Sequence, residues 1–301
     1  MGISAFTNDQ ARTRFLTAYE AAFNRLWPSG YETTDVATSF GTTRVYRSGP
    51  PTGDPFVLLP GAGGNALSWY PHVARLSGSR PVLAIDPIGE PGSSTQDTAI
   101  EDGRDLARWL DEVLSAVEVD RAHLIGCSYG GWVALQHALL ARGRAATLTL
   151  LDPAGFGRVT PRFLAWVIAG GLAGFAPAPV RRRLAGWLHN ATLRDDDLMR
   201  LVRLVVAFRR RLPVPPTLSD DDLRRVDVPT LVLLGQRSQL YDARQVAERL
   251  RAVVPAARVE VVPGAGHDLP LYCPDLIADR ATQFADAQRS SDVDGAGSSD
   301  K

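Results

Sequence analysis

Leu124-Ile125-Gly126-Cys127-Ser128-Tyr129-Gly130-Gly131-Trp132 joins two segments of opposite character. Ahead of it, the charged turn Val119-Asp120-Arg121 gives way to a short apolar run, Ala122 to Ile125, the pattern of a strand buried on both faces. Behind it, Trp132 to Leu140 reads as a helix. The stretch contains G-x-S-x-G, a strand-to-helix turn so sharp that the serine hydroxyl is thrust out of the backbone. Gly126 and Gly130 belong there because side chains would collide across such a bend. Five-residue patterns also arise by chance, so the flanking strand and helix carry the reading.

A serine hydroxyl is a weak nucleophile and needs a neighbouring base. Five histidines are available: His72, His123, His137, His189 and His267. His123 falls within the strand and His137 within the helix, where packing roles are expected. His72 and His189 lie in helical, mixed-polarity stretches and have no evident partner. His267 differs, because Val261-Val262-Pro263-Gly264-Ala265-Gly266-His267-Asp268 is a strand ending in a Gly-rich loop that presents it. His267 is the candidate base.

Working outward, Phe56 to Leu59 is a wholly apolar strand followed by Pro60-Gly61-Ala62-Gly63-Gly64-Asn65. This loop lacks the G-x-x-x-x-G-K and G-x-G-x-x-G spacings of phosphate-binding loops. Its position suits a loop that lends a backbone N–H to a developing oxyanion, the second donor being Tyr129. Pro81 to Ile85 and Leu148 to Leu151 are further strands. They run into Asp86-Pro87-Ile88-Gly89-Glu90-Pro91-Gly92-Ser93-Ser94 and Asp152-Pro153-Ala154-Gly155. Helices are expected at Ile100–Val117, Ala243–Val254 and Pro274–Ala287, and strands at Thr230–Gly235 and Arg258–Val262. Repeated strand–helix units imply an α/β fold with a mostly parallel, doubly wound sheet. Residues 157–226 interrupt that rhythm with helical segments (163–172, 180–187, 195–211), a Pro-rich bend and no evident strand. They read as an inserted helical cap. The expected organisation is an N-terminal helical extension (1–30), a core in two pieces (31–156 and 227–287), the cap (157–226) and a disordered Ser/Gly/Asp-rich tail (288–301). The Asp9–Trp27 helix is expected to pack outside the core, and Tyr31–Arg47 to form two antiparallel strands joined at Gly41.

With 301 residues, 45% hydrophobic, one α/β domain with an insertion is favoured over two domains. Zero net charge gives no indication of nucleic acid or an anionic membrane as partner. Arg181-Arg182-Arg183 and Arg209-Arg210-Arg211 are expected to be solvated faces. Cys127 and Cys273 form no disulfide framework. No apolar run reaches membrane-spanning length and the first residues lack a signal-peptide core, so a cytoplasmic location is expected.

With elbow, glycine loop, cap and histidine loop in this order, residues 31–287 resemble the α/β-hydrolase superfamily. More narrowly, the chain is similar to bacterial carboxylesterase-like members whose third-strand loop reads D-x-I-G-E-P-G-x-S, matched here by Asp86 to Ser94. The resemblance implies a serine hydrolase that cleaves an ester, lactone or thioester through an acyl-enzyme on Ser128. His267 would be the base, Ala62 and Tyr129 the oxyanion donors, and a small acyl compound the substrate, with neither cofactor nor metal. Two departures stand out. Pro60 replaces the usual His of a His-Gly pair, and Ser238 occupies the usual place of the triad acid. Asp152, at a strand end where some superfamily members carry their acid, and Asp242, four residues beyond the usual place, are the candidates to replace it. The alternatives left open are an acyltransferase or cyclase using the same triad, and a non-catalytic ligand-binding protein.

Overall fold

The computed structural model describes residues 2–296. In chain order the elements are β1 (Ala5–Phe6), α1 (Asp9–Leu26), β2 (Glu32–Thr38), β3 (Gly41–Ser48), β4 (Phe56–Leu59), α2 (Tyr70–Leu76), β5 (Val82–Ile85), β6 (Thr95–Gln96), α3 (Gly103–Ala116), β7 (Ala122–Cys127), α4 (Tyr129–Leu140) and β8 (Ala145–Leu151). An insertion follows with α5 (Pro161–Gly174), α6 (Ala178–Trp187), α7 (Asp196–Val205), β9 (Phe208–Arg209) and α8 (Asp220–Arg224). The chain then returns to β10 (Thr230–Gly235), α9 (Ala243–Val253), β11 (Arg258–Val262), α10 (Leu269–Tyr272) and α11 (Pro274–Ala296).

The main sheet runs β11-β10-β8-β7-β4-β5-β3-β2, with the short β6 also paired to β3. From β11 to β5 every pairing is parallel, whereas β3 is antiparallel to both β5 and β2. β4 shows why its residues read as continuously apolar. Val57 and Leu59 join the layer formed with α3, α4 and α9, while Phe56 and Leu58 join the opposite layer with α1, α2 and α11. Successive strand residues point to opposite faces, and here neither face meets water.

Several expectations change. Helix α1 does not lie outside the core: Phe15, Tyr19 and Phe23 are buried in the same cluster as Phe56 and Leu58. Its first turn is capped by the Asn8 side chain, which accepts from Ala11 N–H. The insertion is not wholly helical, because the expected helix over 195–211 ends at Val205 and β9 pairs antiparallel with β1. His189 is not helical either, and takes a left-handed φ of 48° after α6. The last helix continues past Ala287 to Ala296. The remainder of the expected disordered tail, residues 297–301, lies outside the described residues. The arginine runs are not simply solvated: Arg181 is 2% exposed, donates to the Leu193 carbonyl at 2.6 Å and pairs with Asp196.

Two buried histidines, His123 on β7 and His72 on α2, are held neutral by their surroundings. His123 is bonded at Nε2 to Arg80 Nη1 (3.1 Å) and at Nδ1 to Thr147 Oγ1 (3.0 Å). Arginine can only donate, so Nε2 accepts and the ring is neutral. Burial, with Arg80 nearby, pushes the His123 pKa down to about 4. Burial alone pushes fully enclosed His72 down to about 4 as well.

Two predictions follow from this packing. A Cβ on Gly130 would run into the Leu59 and Pro60 carbonyl oxygens, whereas one on Gly171 in α5 meets nothing. Gly130→Ala is therefore expected to lose about 1–3 kcal/mol of stability. Gly171→Ala is expected to gain about 0.5–1 kcal/mol. Urea unfolding of the two variants checks both signs. The second prediction concerns pH. An unfolded histidine takes up a proton near pH 6.5, while native His72 refuses it until about pH 4. Its contribution is thus full above 6.5 and is lost as pH falls toward 4. Between pH 7 and pH 5 this amounts to about 2 kcal/mol. Buried Asp86 and Glu90 shift upward and act in the opposite sense, so the effect is isolated by difference. His72→Leu should lose that much less stability than the parent between the two pH values.

Candidate active site

All the candidate residues leave the carboxyl ends of strands, the edge at which open parallel sheets present their ligand crevice. Ser128 follows β7, which lies between β4 and β8 at the middle of the sheet. It holds φ 49° and ψ −112°, a left-handed conformation unusual for a residue with a Cβ. Around it, a Cβ on Gly126 would strike the Gly130 carbonyl, and one on Gly130 the carbonyls of Leu59 and Pro60. Ser128 N–H donates to the Leu151 carbonyl (2.9 Å), and its own carbonyl accepts from Ala154 N–H (3.0 Å). The elbow is thereby fastened to the end of β8, which delivers Asp152.

His267 Nε2 lies 3.0 Å from Ser128 Oγ, and its Nδ1 lies 2.6 Å from Asp152 Oδ2. A carboxylate only accepts, so Nδ1 carries the proton and Nε2 is left free to accept from the serine. Asp152 is fully buried, and its other oxygen accepts from Gly235 N–H at 3.3 Å. Ser238, which stands at the usual place of the acid, donates its hydroxyl to Asp152 Oδ2. The serine on the adjacent strand end is thus hydrogen-bonded to the carboxylate that meets His267. Asp242 is the N-cap of α9, accepting from Arg244 N–H (3.0 Å) and Gln245 N–H (3.1 Å). Asp268 turns away from the base toward the insertion, where it accepts from Thr192 N–H at 2.9 Å.

The histidine loop fits closely. A Cβ on Gly266 would meet the His189 carbonyl, so only glycine suits that position. Phe163 and Trp166, one helical turn apart on α5, set their rings 5.1 and 6.0 Å from the His267 ring, both near perpendicular. The insertion therefore walls the candidate base with aromatic surface. In the sequence these two residues fall in an expected cap helix, with no sign of which face they occupy.

On the other side of Ser128, the loop after β4 is held by the segment 86–94. Gly63 N–H donates to Glu90 Oε2 (2.9 Å), Asn65 Nδ2 to the Pro91 carbonyl (3.0 Å) and Ala66 N–H to Asp86 Oδ1 (2.9 Å). Gly61 borders Ser128 closely, a Cβ there lying 3.5 Å from Ser128 Cβ, and Ala62 is next in the chain. Tyr129 opens α4, where backbone N–H groups lack partners within the helix. Burial raises the carboxyls of Asp86 and Glu90, and their hydrogen bonds draw them back. The Cys127 thiol, inside the elbow, is pushed well up by burial and further by Asp152. It therefore stays a protonated, buried packing group at neutral pH.

Nothing in the sequence alone marks Glu90 or Arg210 as part of the site. Arg210 is expected to be solvated with its neighbours, yet its Nε donates to Glu90 Oε1 at 2.7 Å. The one available hint was an acid set in a Gly-Glu-Pro turn beside a candidate site loop.

Comparison with known proteins agrees with this architecture. Residues 56–280 match the model of the alpha/beta hydrolase family. Over 298 residues the chain is 28% identical to the carboxylesterase YbfK of Bacillus subtilis, covering 93% of this chain and 96% of that protein. The crystal structure of that carboxylesterase, CesB (YbfK), superimposes with a TM-score of 0.80 at 27% identity, covering 91% of this chain and 98% of the other. The naproxen esterase (carboxylesterase NP) of the same organism gives 0.81 at 26%, covering 92% and 99%. The mostly parallel sheet, the nucleophile elbow and a family match spanning most of the sequence lead to one conclusion: this chain belongs to the alpha/beta hydrolase family.

Proposed function

We propose that the chain is a serine hydrolase of carboxylic esters that works through an acyl-enzyme on Ser128. The observation that carries this reading is the unbroken hydrogen-bond chain from Ser128 through His267 to Asp152. Similarity to proteins named as carboxylesterases supports the choice of ester chemistry.

In this mechanism Ser128 Oγ attacks the ester carbonyl while His267 Nε2 takes its proton. The imidazolium then returns that proton to the leaving alcohol. Asp152 holds the ring in the required tautomer and stabilises its positive charge. The N–H groups of Ala62 and Tyr129 receive the oxyanion, an electrostatic contribution that is generally among the largest in acyl transfer. Water activated by the same histidine releases the acid and restores the serine. Lactones and thioesters present the same electrophile. Acyl transfer to another nucleophile would share the first half-reaction and differ only in what attacks the acyl-enzyme. A purely ligand-binding role gives no reason for a buried carboxylate, an oriented imidazole and a strained serine to be aligned.

Three outcomes are expected. A small fluorophosphonate should add one equivalent of mass at Ser128, and His267→Ala should abolish the labelling. An unlabelled, folded parent protein would refute the mechanism. Asp152→Asn should lower turnover of a soluble ester by about 10⁴-fold. Asp242→Ala should cost about 0.5–2 kcal/mol of stability through the lost cap while leaving kcat unchanged. A reversed pattern between these two variants would transfer the acid's role to Asp242.

A further inference from the structure

The loop proposed to hold the oxyanion begins with Pro60, and side chains and carbonyls of the 86–94 segment fix its shape. Glu90 sets part of it. This residue is 3% exposed, and its two carboxylate oxygens are divided between Gly63 N–H (2.9 Å) and Arg210 Nε (2.7 Å). A buried carboxylate without a cationic partner is strongly unfavourable, so the ion pair and the loop bond depend on one another. Arg210 belongs to the insertion, just after β9. Its guanidinium carbon lies 4.3 Å from the centre of the Tyr129 ring, within cation–π range. The Tyr129 hydroxyl in turn donates to the Pro213 carbonyl at 3.2 Å, again in the insertion. One ion pair thus reaches both residues assigned as oxyanion donors. It reaches Ala62 through the adjacent Gly63, and Tyr129 through its own ring.

We infer that Glu90 and Arg210 are positioning residues for the oxyanion hole, through which docking of the 208–213 arm of the insertion sets both N–H donors for catalysis. This rests on the hydrolase mechanism proposed above. Neither side chain touches the reacting atoms. Their effect is to hold two backbone donors at the distance at which they bind the transition state more strongly than the substrate.

The test is steady-state hydrolysis of p-nitrophenyl butyrate by the full chain, with thermal unfolding measured on every variant. Removing an oxyanion donor outright costs about 10²–10³-fold in kcat, so misplacing two donors should cost about 10–100-fold. Glu90→Gln and Arg210→Gln should each lower kcat and kcat/KM together by that factor, with KM changed by less than about threefold. Arg210→Lys, which keeps the charge, should recover part of the loss. The double variant should be no worse than the poorer single variant, since both act through one pair. Arg209→Gln, which removes the neighbouring exposed charge, should behave like the parent. Should Glu90→Gln fail to fold, the Arg210→Gln and Arg210→Lys pair carries the test. Near-parental kcat in folded Glu90→Gln and Arg210→Gln overturns the inference, as do losses that multiply in the double variant. A parent protein that is neither labelled at Ser128 nor active on the ester removes the underlying mechanism, and this inference with it. A labelled, active parent with indifferent variants removes the inference alone.

Discussion

At Ser128 the backbone takes a left-handed φ of 49° in the tight space between the β4 and β8 ends, and the surrounding structure is arranged to keep it there. The cost of such a conformation is about 1–3 kcal/mol, tolerated only where neighbours over-determine it. Here they do. The elbow N–H and carbonyl are each bonded to β8 or the residues just after it, and glycines at 126 and 130 admit backbone where a side chain would not fit. Because β7 is central in a parallel sheet, the same constraint brings the ends of β4, β8, β10 and β11 to the rim on which Ser128 stands.

Buried carboxylates are the second organising element of that rim. Asp86, Glu90 and Asp152 are each 3% exposed or less, and each accepts bonds from more than one chain segment. Asp86 joins Tyr19 of α1, Ala66 after the glycine loop and Ser93 of its own loop. Glu90 joins the glycine loop to the insertion. Asp152 joins the histidine loop to β10. Hydrogen bonds to a buried charge are about twice as strong as neutral ones, and leaving such a group unpaired is costly. Each carboxylate therefore specifies the relative placement of the loops around it more than it adds to net stability.

The N-terminal helix and the insertion are consequently parts of the same construction. Tyr19 ends on Asp86, and β1 pairs with β9 from the insertion. The insertion in turn contributes Phe163 and Trp166 against the base and Arg210 against the glycine loop. The first residues of the chain and the insertion thus meet at a two-stranded contact just ahead of Arg210.

Local sequence was sufficient for whatever depends on nearest neighbours along the chain. The apolar run before Gly126, the glycines at 126 and 130, and the loop carrying His267 each express a steric or solvation demand within a few residues. They point to a mostly parallel α/β sheet, a sharp strand-to-helix turn at Ser128 and a histidine within hydrogen-bond reach of it. The choice between Asp152 and Asp242 was of another kind. Both sit at element ends and both suit a helix cap or turn, so only the register of β8 against β10, which sets Asp152 beside Ser238 and His267, separates them. Arg210 was indistinguishable from Arg209 and Arg211 for the same reason. Whether an arginine is solvated or paired depends on a carboxylate 120 residues away in sequence, Glu90. Short-range sterics are written in consecutive residues, whereas the pairing of buried charges is decided only when distant strands and the insertion close over them.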